Sequence, residues 1–288
     1  MVPSTGGPGM PAKRTTKREN KDLPVSEMSL QQLRTLLKSR GETGPKYLFS
    51  AVEDKADLRD YRYVFWLDLM GARNLMKLSL PRASRAVMKI HAAALMTKQK
   101  HPKVEINPVM DGVYGVVSNR DVLEACLKET MTALALVFIN ERIPSSRFMV
   151  RAGVAFGPIV LGRMLAEGAK ILRERREFLN GTAIGMAITH AYEAESCASP
   201  FGVYIHESAR AFSPQDGAGN PYRTNLWKWF DDEEPLSWTL RRTIQEHFSW
   251  LEKNPIAAQY EADAMRRHKA LATEYFELHS LQAPDSPI

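Results

Sequence analysis

From Tyr61 to Met70 the chain is almost continuously aromatic, β-branched or aliphatic, and it runs straight into Gly71 and a helix-like segment, ARNLMKL. A segment this short and apolar, bounded by a glycine, reads as a strand buried on both faces. Such a strand needs a sheet around it and helices over it. Inside it, within the stretch VFWLDLMGARN (Val64 to Asn74), one carboxylate stands where another apolar residue is expected, Asp68. Two readings are open: a turn or helix cap, or a ligand presented at a sheet edge.

The order of the remaining elements sets the fold class. Leu75 to Gln99 reads as a helix interrupted at Pro81. VEINPVMDGVYGVV follows, two short strands joined at Asp111-Gly112, a strong local hairpin signal. Asp121 to Asn140 is an amphipathic helix with Leu123, Cys126, Leu127, Met131, Leu134 and Phe138 on one side. Phe148 to Val160 reads as a strand, Thr182 to Ser196 as a helix, and Gly202 to Ile205 as a short strand. This order predicts an α+β sandwich, a mixed and mostly antiparallel sheet with helices, spanning residues 60–212. It is not the βαβα alternation of a dinucleotide-binding fold.

Outside that unit, residues 1–24 read as a disordered basic leader carrying Lys13, Arg14, Lys17, Arg18 and Lys21. Residues 25–59 read as an N-terminal helical segment, with Leu30, Leu33, Leu36 and Leu37 at helical spacing over Ser26–Ser39. Residues 213–288 read as a C-terminal helical extension that packs on the core or on a partner chain. It has an aromatic knot (Trp227, Trp229, Phe230), a helix start at Asn254-Pro255, and Tyr260, Ala264, Leu271, Tyr275 and Leu278 near one helical face.

Composition excludes several classes. With 44% hydrophobic and 25% charged residues the chain can bury a real core. No segment approaches the roughly 20 consecutive apolar residues of a membrane span, and the N-terminus has no apolar signal region. Two distant cysteines, Cys126 and Cys197, fit a reducing cytoplasm rather than a disulfide scaffold. A phosphate loop, GxGxxG after a strand, HExxH and Gly-x-Ser-x-Gly are all missing.

The aspartate pair remains. If the hairpin lies beside the first strand, Asp68 and Asp111 emerge at the same sheet edge. Two such carboxylates suit a pair of divalent cations roughly 3.5–4 Å apart, and hard oxygen ligands suit Mg²⁺ or Mn²⁺. Asp111 alone is equally an ordinary Asp-Gly turn.

Four motifs carry a resemblance to class III nucleotide cyclases. VFWLDLMGARN resembles their first metal strand, Phe-x-Asp-Ile-x-Gly-Phe, and PVMDGVYGVV resembles their second metal motif, Gly-Asp-Gly followed by apolar residues. RAGVAFGPIVLG (Arg151 to Gly162) resembles their Arg-x-Gly-x-x-x-Gly-x-x-x-x-Gly strand. GTAIGMAITHAYEAES (Gly181 to Ser196) sits where the family has Gly-x-x-Val-Asn-x-Ala-x-Arg-Leu-Glu-Ser. The resemblance covers about residues 60 to 210 and implies a cyclase-like palm fold.

It also implies roles. Asp68, Asp111 and the Leu69 carbonyl would hold two Mg²⁺ or Mn²⁺ ions per site, and the backbone of Gly71, Ala72 and Arg73 would face the triphosphate. A ribose 3′-oxygen would attack the α-phosphorus and release pyrophosphate. One domain per chain implies a homodimer with composite sites. Asn107 occupies the base-reading position, where the purine enzymes place Lys or Glu; their second base-reading position falls near Phe178. The family's transition-state Asn and Arg are replaced, by Gly185 and Thr189 in one alignment and by Thr189 and Glu193 in another. Arg163, Lys170, Arg173, Arg175 and Arg176 form a basic loop that is either solvated or a substitute source of the missing cation.

With its metal aspartates intact and its purine pocket altered, the chain resembles the bacterial pyrimidine cyclases of antiviral defence, whose Ala-Tyr-x-x-Glu pattern is present as Ala191, Tyr192 and Glu195. These make cyclic UMP or cyclic CMP, which acts on a separate effector. UTP is the preferred substrate and CTP the next. A divergent adenylyl or guanylyl cyclase and a catalytically silent nucleotide- or partner-binding module are the alternatives.

Overall fold

The computed structural model describes residues 60–165, 176–211, 222, 224–258 and 260–277. The leader, the Ser26–Ser39 helix, Lys170, Arg173, Arg175 and Leu278 lie outside the described residues. The elements run β1 (Asp60–Leu69), α1 (Ala72–Leu78), α2 (Leu80–Lys100), β2 (Glu105–Val109), β3 (Gly112–Val117), α3 (Arg120–Asn140) and β4 (Val150–Leu161). Then follow α4 (Gly162–Leu165), α5 (Arg176–Asn180), β5 (Ala183–Ile184), α6 (Met186–Ser196), β6 (Val203–Ile205) and α7 (Glu207–Ala211). Last are β7 (Leu226–Trp227), α8 (Pro235–Lys253), α9 (Pro255–Ala258) and α10 (Ala262–Phe276).

Along the sheet the strands lie in the order β2-β3-β1-β4-β6-β7, with β5 on β4. β1 is antiparallel to both β3 and β4, whereas β6 runs parallel to β4. The sheet is therefore mixed and mostly antiparallel, built around a β-α-β-β-α-β unit. Among the described residues, no helix is long and apolar enough to cross a membrane.

Period-2 alternation along β1 sends its side chains to two different covers. Tyr63, Phe65, Leu67 and Leu69 enter the main core with Ile90 of α2, Leu127, Met131 and Phe138 of α3, Phe248 of α8, and Phe276 of α10. Each such fully buried side chain contributes about 1.5–3 kcal/mol. The C-terminal helices thus pack on the core itself. Trp229 Nε1 donates to Phe201 O at 2.7 Å, and the Tyr275 hydroxyl donates to Trp227 O at 2.7 Å, tying the aromatic knot to the sheet. The opposite face of β1 carries Val64, Trp66 and Asp68. There Val64 packs with Tyr114, Val116 and Ala155 beneath Ala187 and Ala191 of α6. A Cβ on Gly153 would meet Ala191 O at 2.2 Å and Glu195 N at 2.3 Å, so the glycine lets the α6 backbone lie directly on β4.

Three local expectations are corrected. The hairpin turns at Met110-Asp111 rather than Asp111-Gly112: Val109 pairs with Gly112, and the positive φ of 46° is at Met110. The helix expected from Leu75 starts at Ala72, ends at Leu78, and restarts after an extended Ser79 whose Oγ accepts from Arg82 N–H at 3.4 Å. Pro81 then sits in the first turn of α2, where its missing N–H costs no helical bond. The helix expected over Thr182–Ser196 is split, because residues 183–184 pair with β4 as β5 and α6 begins only at Met186.

Candidate active site

Asp68 lies in the last turn of the pleat of β1, opposite Arg151 on β4. Its other neighbour is Gly112, where an added Cβ would meet Leu67 O at 2.3 Å and Asp68 Oδ1 at 2.9 Å. Asp111 is the residue before Gly112, so the register places both aspartates at one edge of the sheet. Gly112→Ala is expected to destabilise the protein by about 3 kcal/mol, because backbone blocks the methyl group. Denaturant unfolding measures this.

A third carboxylate, which sequence reasoning did not assign to the site, joins them. Glu195 of α6 is 3% exposed and ion-paired with Arg151, whose second nitrogen donates to Ser196 O at 3.1 Å. Burial nevertheless raises the Glu195 pKa, with the Asp111 charge adding to it, so desolvation outweighs the Arg151 pairing. Asp68 is pushed up to about 7, first by burial, then by the charges of Asp111 and Glu195; the Leu69 N–H and Arg151 only partly offset this. Three acidic groups and one guanidinium leave a net negative site that a divalent cation would neutralise. The Asp68 and Asp111 carboxylates are hard oxygen donors of the kind that suits Mg²⁺ or Mn²⁺, whereas Glu195 is engaged by Arg151.

Beyond Asp68 the chain makes a left-handed turn at Gly71 (φ 73°) into α1, which has no side-chain cap. Intrahelical bonding begins with the Asn74 and Leu75 N–H groups on Gly71 O, so those of Ala72 and Arg73 have no helical partner. The C-terminal extension reaches this turn: the Tyr260 ring lies 3.3 Å from where a Gly71 Cβ would stand, and its hydroxyl is 2.7 Å from His268 Nδ1. Burial, with Arg151 and Arg267 adding to it, pushes His268 down to about 4 and holds it neutral. Some 190 residues separate Gly71 from Tyr260 and His268, and no local pattern announces the contact.

One row further along the sheet, Asn107, Tyr114 and Trp66 stand side by side on the same face as Asp68. Trp66 stacks on Tyr114 at 6.1 Å and meets the Tyr192 edge at 5.2 Å. Its buried Nε1 has no hydrogen-bond partner among the described residues. Arg163 is elsewhere. It pairs with Glu105 at 2.6 Å, four residues along β2 from Val109 and so about 13 Å from the aspartate row. Thr189 and Glu193 are both exposed on α6.

The chain matches no protein-family model and no curated protein. Solved structures similar to it include the guanylyl cyclase Cya2, at 15% identity and TM-score 0.38, covering 51% of this chain and 75% of that one. Another is the monomeric guanylyl cyclase domain of the RhoGC fusion protein from the aquatic fungus Blastocladiella emersonii, at 15% identity and TM-score 0.39 over 52% and 82% of the two chains. A third is the guanylate cyclase domain of RhGC from Catenaria anguillulae in complex with GTP, at 13% identity and TM-score 0.38 over 52% and 79%.

Proposed function

We propose that this chain is a metal-dependent nucleotide cyclase that converts a pyrimidine nucleoside triphosphate, UTP first and CTP next, into its 3′,5′-cyclic nucleotide and pyrophosphate. The observation that carries the reading is the meeting of Asp68 and Asp111 at one sheet edge, in a site whose negative charge is not neutralised. Asp68, Asp111 and the Leu69 carbonyl would hold the cations, which supply charge neutralisation for the triphosphate and acidify the ribose 3′-hydroxyl.

The chain's own groups do the rest. Backbone N–H groups of Gly71, Ala72 and Arg73 face the phosphates, and Arg151, held by Glu195, fixes the position opposite Asp68. The new bond joins the 3′-oxygen to the α-phosphorus, the α–β bridging bond breaks, pyrophosphate leaves and the hydroxyl proton passes to water. Asn107, with both donors and an acceptor, meets the base. Lys170, with Arg173, Arg175 and Arg176 of the basic loop, is the candidate source of transition-state charge.

The enzyme works as a homodimer with composite sites: exposed Met110, beside Asp111, and exposed Tyr192, on the Trp66 ring, flank the Asp68 face and offer apolar surface to a second copy. Its product is a second messenger of bacterial antiviral defence, read by a separate effector, and the enzyme acts in the cytoplasm. Incubation with ATP, GTP, CTP and UTP separately, each with Mn²⁺ or Mg²⁺, tests this by mass spectrometry. Cyclic UMP or CMP is expected. Cyclic AMP or GMP keeps the mechanism and overturns the base assignment; no product from any of the four, with metal-dependent nucleotide binding absent as well, overturns the enzyme.

A further inference from the structure

On the flank of α6 away from Asp68, two imidazoles and a carboxylate converge. His190 and Glu193 stand three residues apart on α6, one turn of one helix face. His206 follows β6, with its N–H bonded to Val154 O at 2.8 Å, so it projects from the strand next to β4. One ligand atom from each of the three lies within 4.8 Å of the other two. The imidazole rings of His190 and His206 are stacked, with centroids 4.2 Å apart and planes 15° from parallel.

We infer that His190, Glu193 and His206 form a zinc site, separate from the Asp68–Asp111 centre, that clasps α6 to the end of β6. Two imidazole nitrogens and one carboxylate oxygen are a nitrogen-rich set that suits Zn²⁺ and not Mg²⁺, with water as the fourth ligand. The second ring nitrogen of His206 is already engaged. Nδ1 lies 2.9 Å from Ser208 Oγ and 3.1 Å from the Ser208 N–H, and Ser208 Oγ is itself fixed by the Phe156 N–H at 3.2 Å. That leaves Nε2 for the metal. On loading, Nδ1 carries the ring proton and donates it to Ser208 Oγ, the usual outer-shell arrangement of a ligating histidine, and the Ser208 N–H gives up its acceptor. Stacked rings direct their lone pairs side by side, so the half-buried His190 ring swings out of the stack for both nitrogens to meet one ion.

The test uses the full chain carrying Asp68→Ala and Asp111→Ala, which removes the other metal centre. Metal is stripped with a chelator, and Zn²⁺ is titrated by calorimetry; Co²⁺ is added separately as a spectroscopic probe. One equivalent of Zn²⁺ is expected, with the intense visible bands of four-coordinate Co²⁺ and a rise in melting temperature. His190→Ala and His206→Ala should each weaken binding by about 100-fold, and Glu193→Gln by about tenfold. Circular dichroism confirms that each variant is folded. No stoichiometric Zn²⁺ binding by the folded background protein, only the weak bands of six-coordinate Co²⁺, or affinity unchanged in both histidine variants would each overturn the site. None of these outcomes depends on whether the chain cyclises a nucleotide.

Discussion

Asp111→Asn is expected to lower cyclic-nucleotide formation by roughly 10³-fold while leaving the fold intact. The two effects separate because of where Asp111 lies. It is half-buried at the tip of the β2–β3 hairpin, next to Met110, which is 85% exposed, and asparagine is as well suited to a tight turn as aspartate. No core contact is lost. What is lost is one of the two negative oxygen ligands proposed for the cation, whose charge stabilisation of a transferring phosphoryl group is worth several kcal/mol; about 4 kcal/mol corresponds to 10³ in rate. The measurement is kcat at saturating Mn²⁺, beside a melting curve. A melting temperature within a few degrees of wild type and a collapsed kcat is the expected pair. Activity within tenfold of wild type would remove Asp111 from the metal centre, and a collapsed melting temperature would make it structural.

The aspartates were legible because each breaks a pattern. Asp68 interrupts an apolar strand, and Asp111 precedes a glycine between two strand-like runs. Yet the glycine was read for the wrong reason: Gly112 serves the close approach of Leu67 O and Asp68, and the turn conformation belongs to Met110. Glu195 was harder to find. It stands on a helix face otherwise made of Ala187, Ala191 and Ala194, and only the crossing over Gly153 brings it to Arg151. Tyr260 and His268 had no local signal, since sequence periodicity reports what an element buries and not which distant turn it reaches. Arg163 was read from its place in a basic run, but Glu105 on β2, far away in sequence, claims its charge. The α+β order is legible because it depends on the type of each element, whereas the neighbours of Asp68 and Asp111 are not, because they depend on contacts between elements.

Asp68→Asn is expected to raise the stability of the metal-free protein in a way that depends on pH. In the fold the Asp68 carboxyl titrates at about 7, against 3.8 in the unfolded chain, so between those values the folded state holds more protons. Stability from this group is therefore complete below pH 3.8, and is lost as pH rises through 7. Three pK units correspond to about 4 kcal/mol at most; screening of this partly exposed group reduces that to about 2 kcal/mol, or about 6 °C in melting temperature for a chain of this size. Asparagine carries no such penalty. The variant should melt about 6 °C above wild type at pH 8 and level with it at pH 4. His247 and His268, both lowered to about 4, pull wild-type stability the other way between pH 4 and 6.5, but they act alike in both proteins and cancel in the difference. Mn²⁺ supplies the complementary arm. It should raise the melting temperature of wild type at pH 8, lose its effect below pH 7 as protons compete for Asp68, and leave the variant almost unmoved. A difference between variant and wild type that stays constant from pH 4 to 8 would mean that Asp68 is not a charge strained by its neighbours, and the case for a cation between them would lose its electrostatic basis.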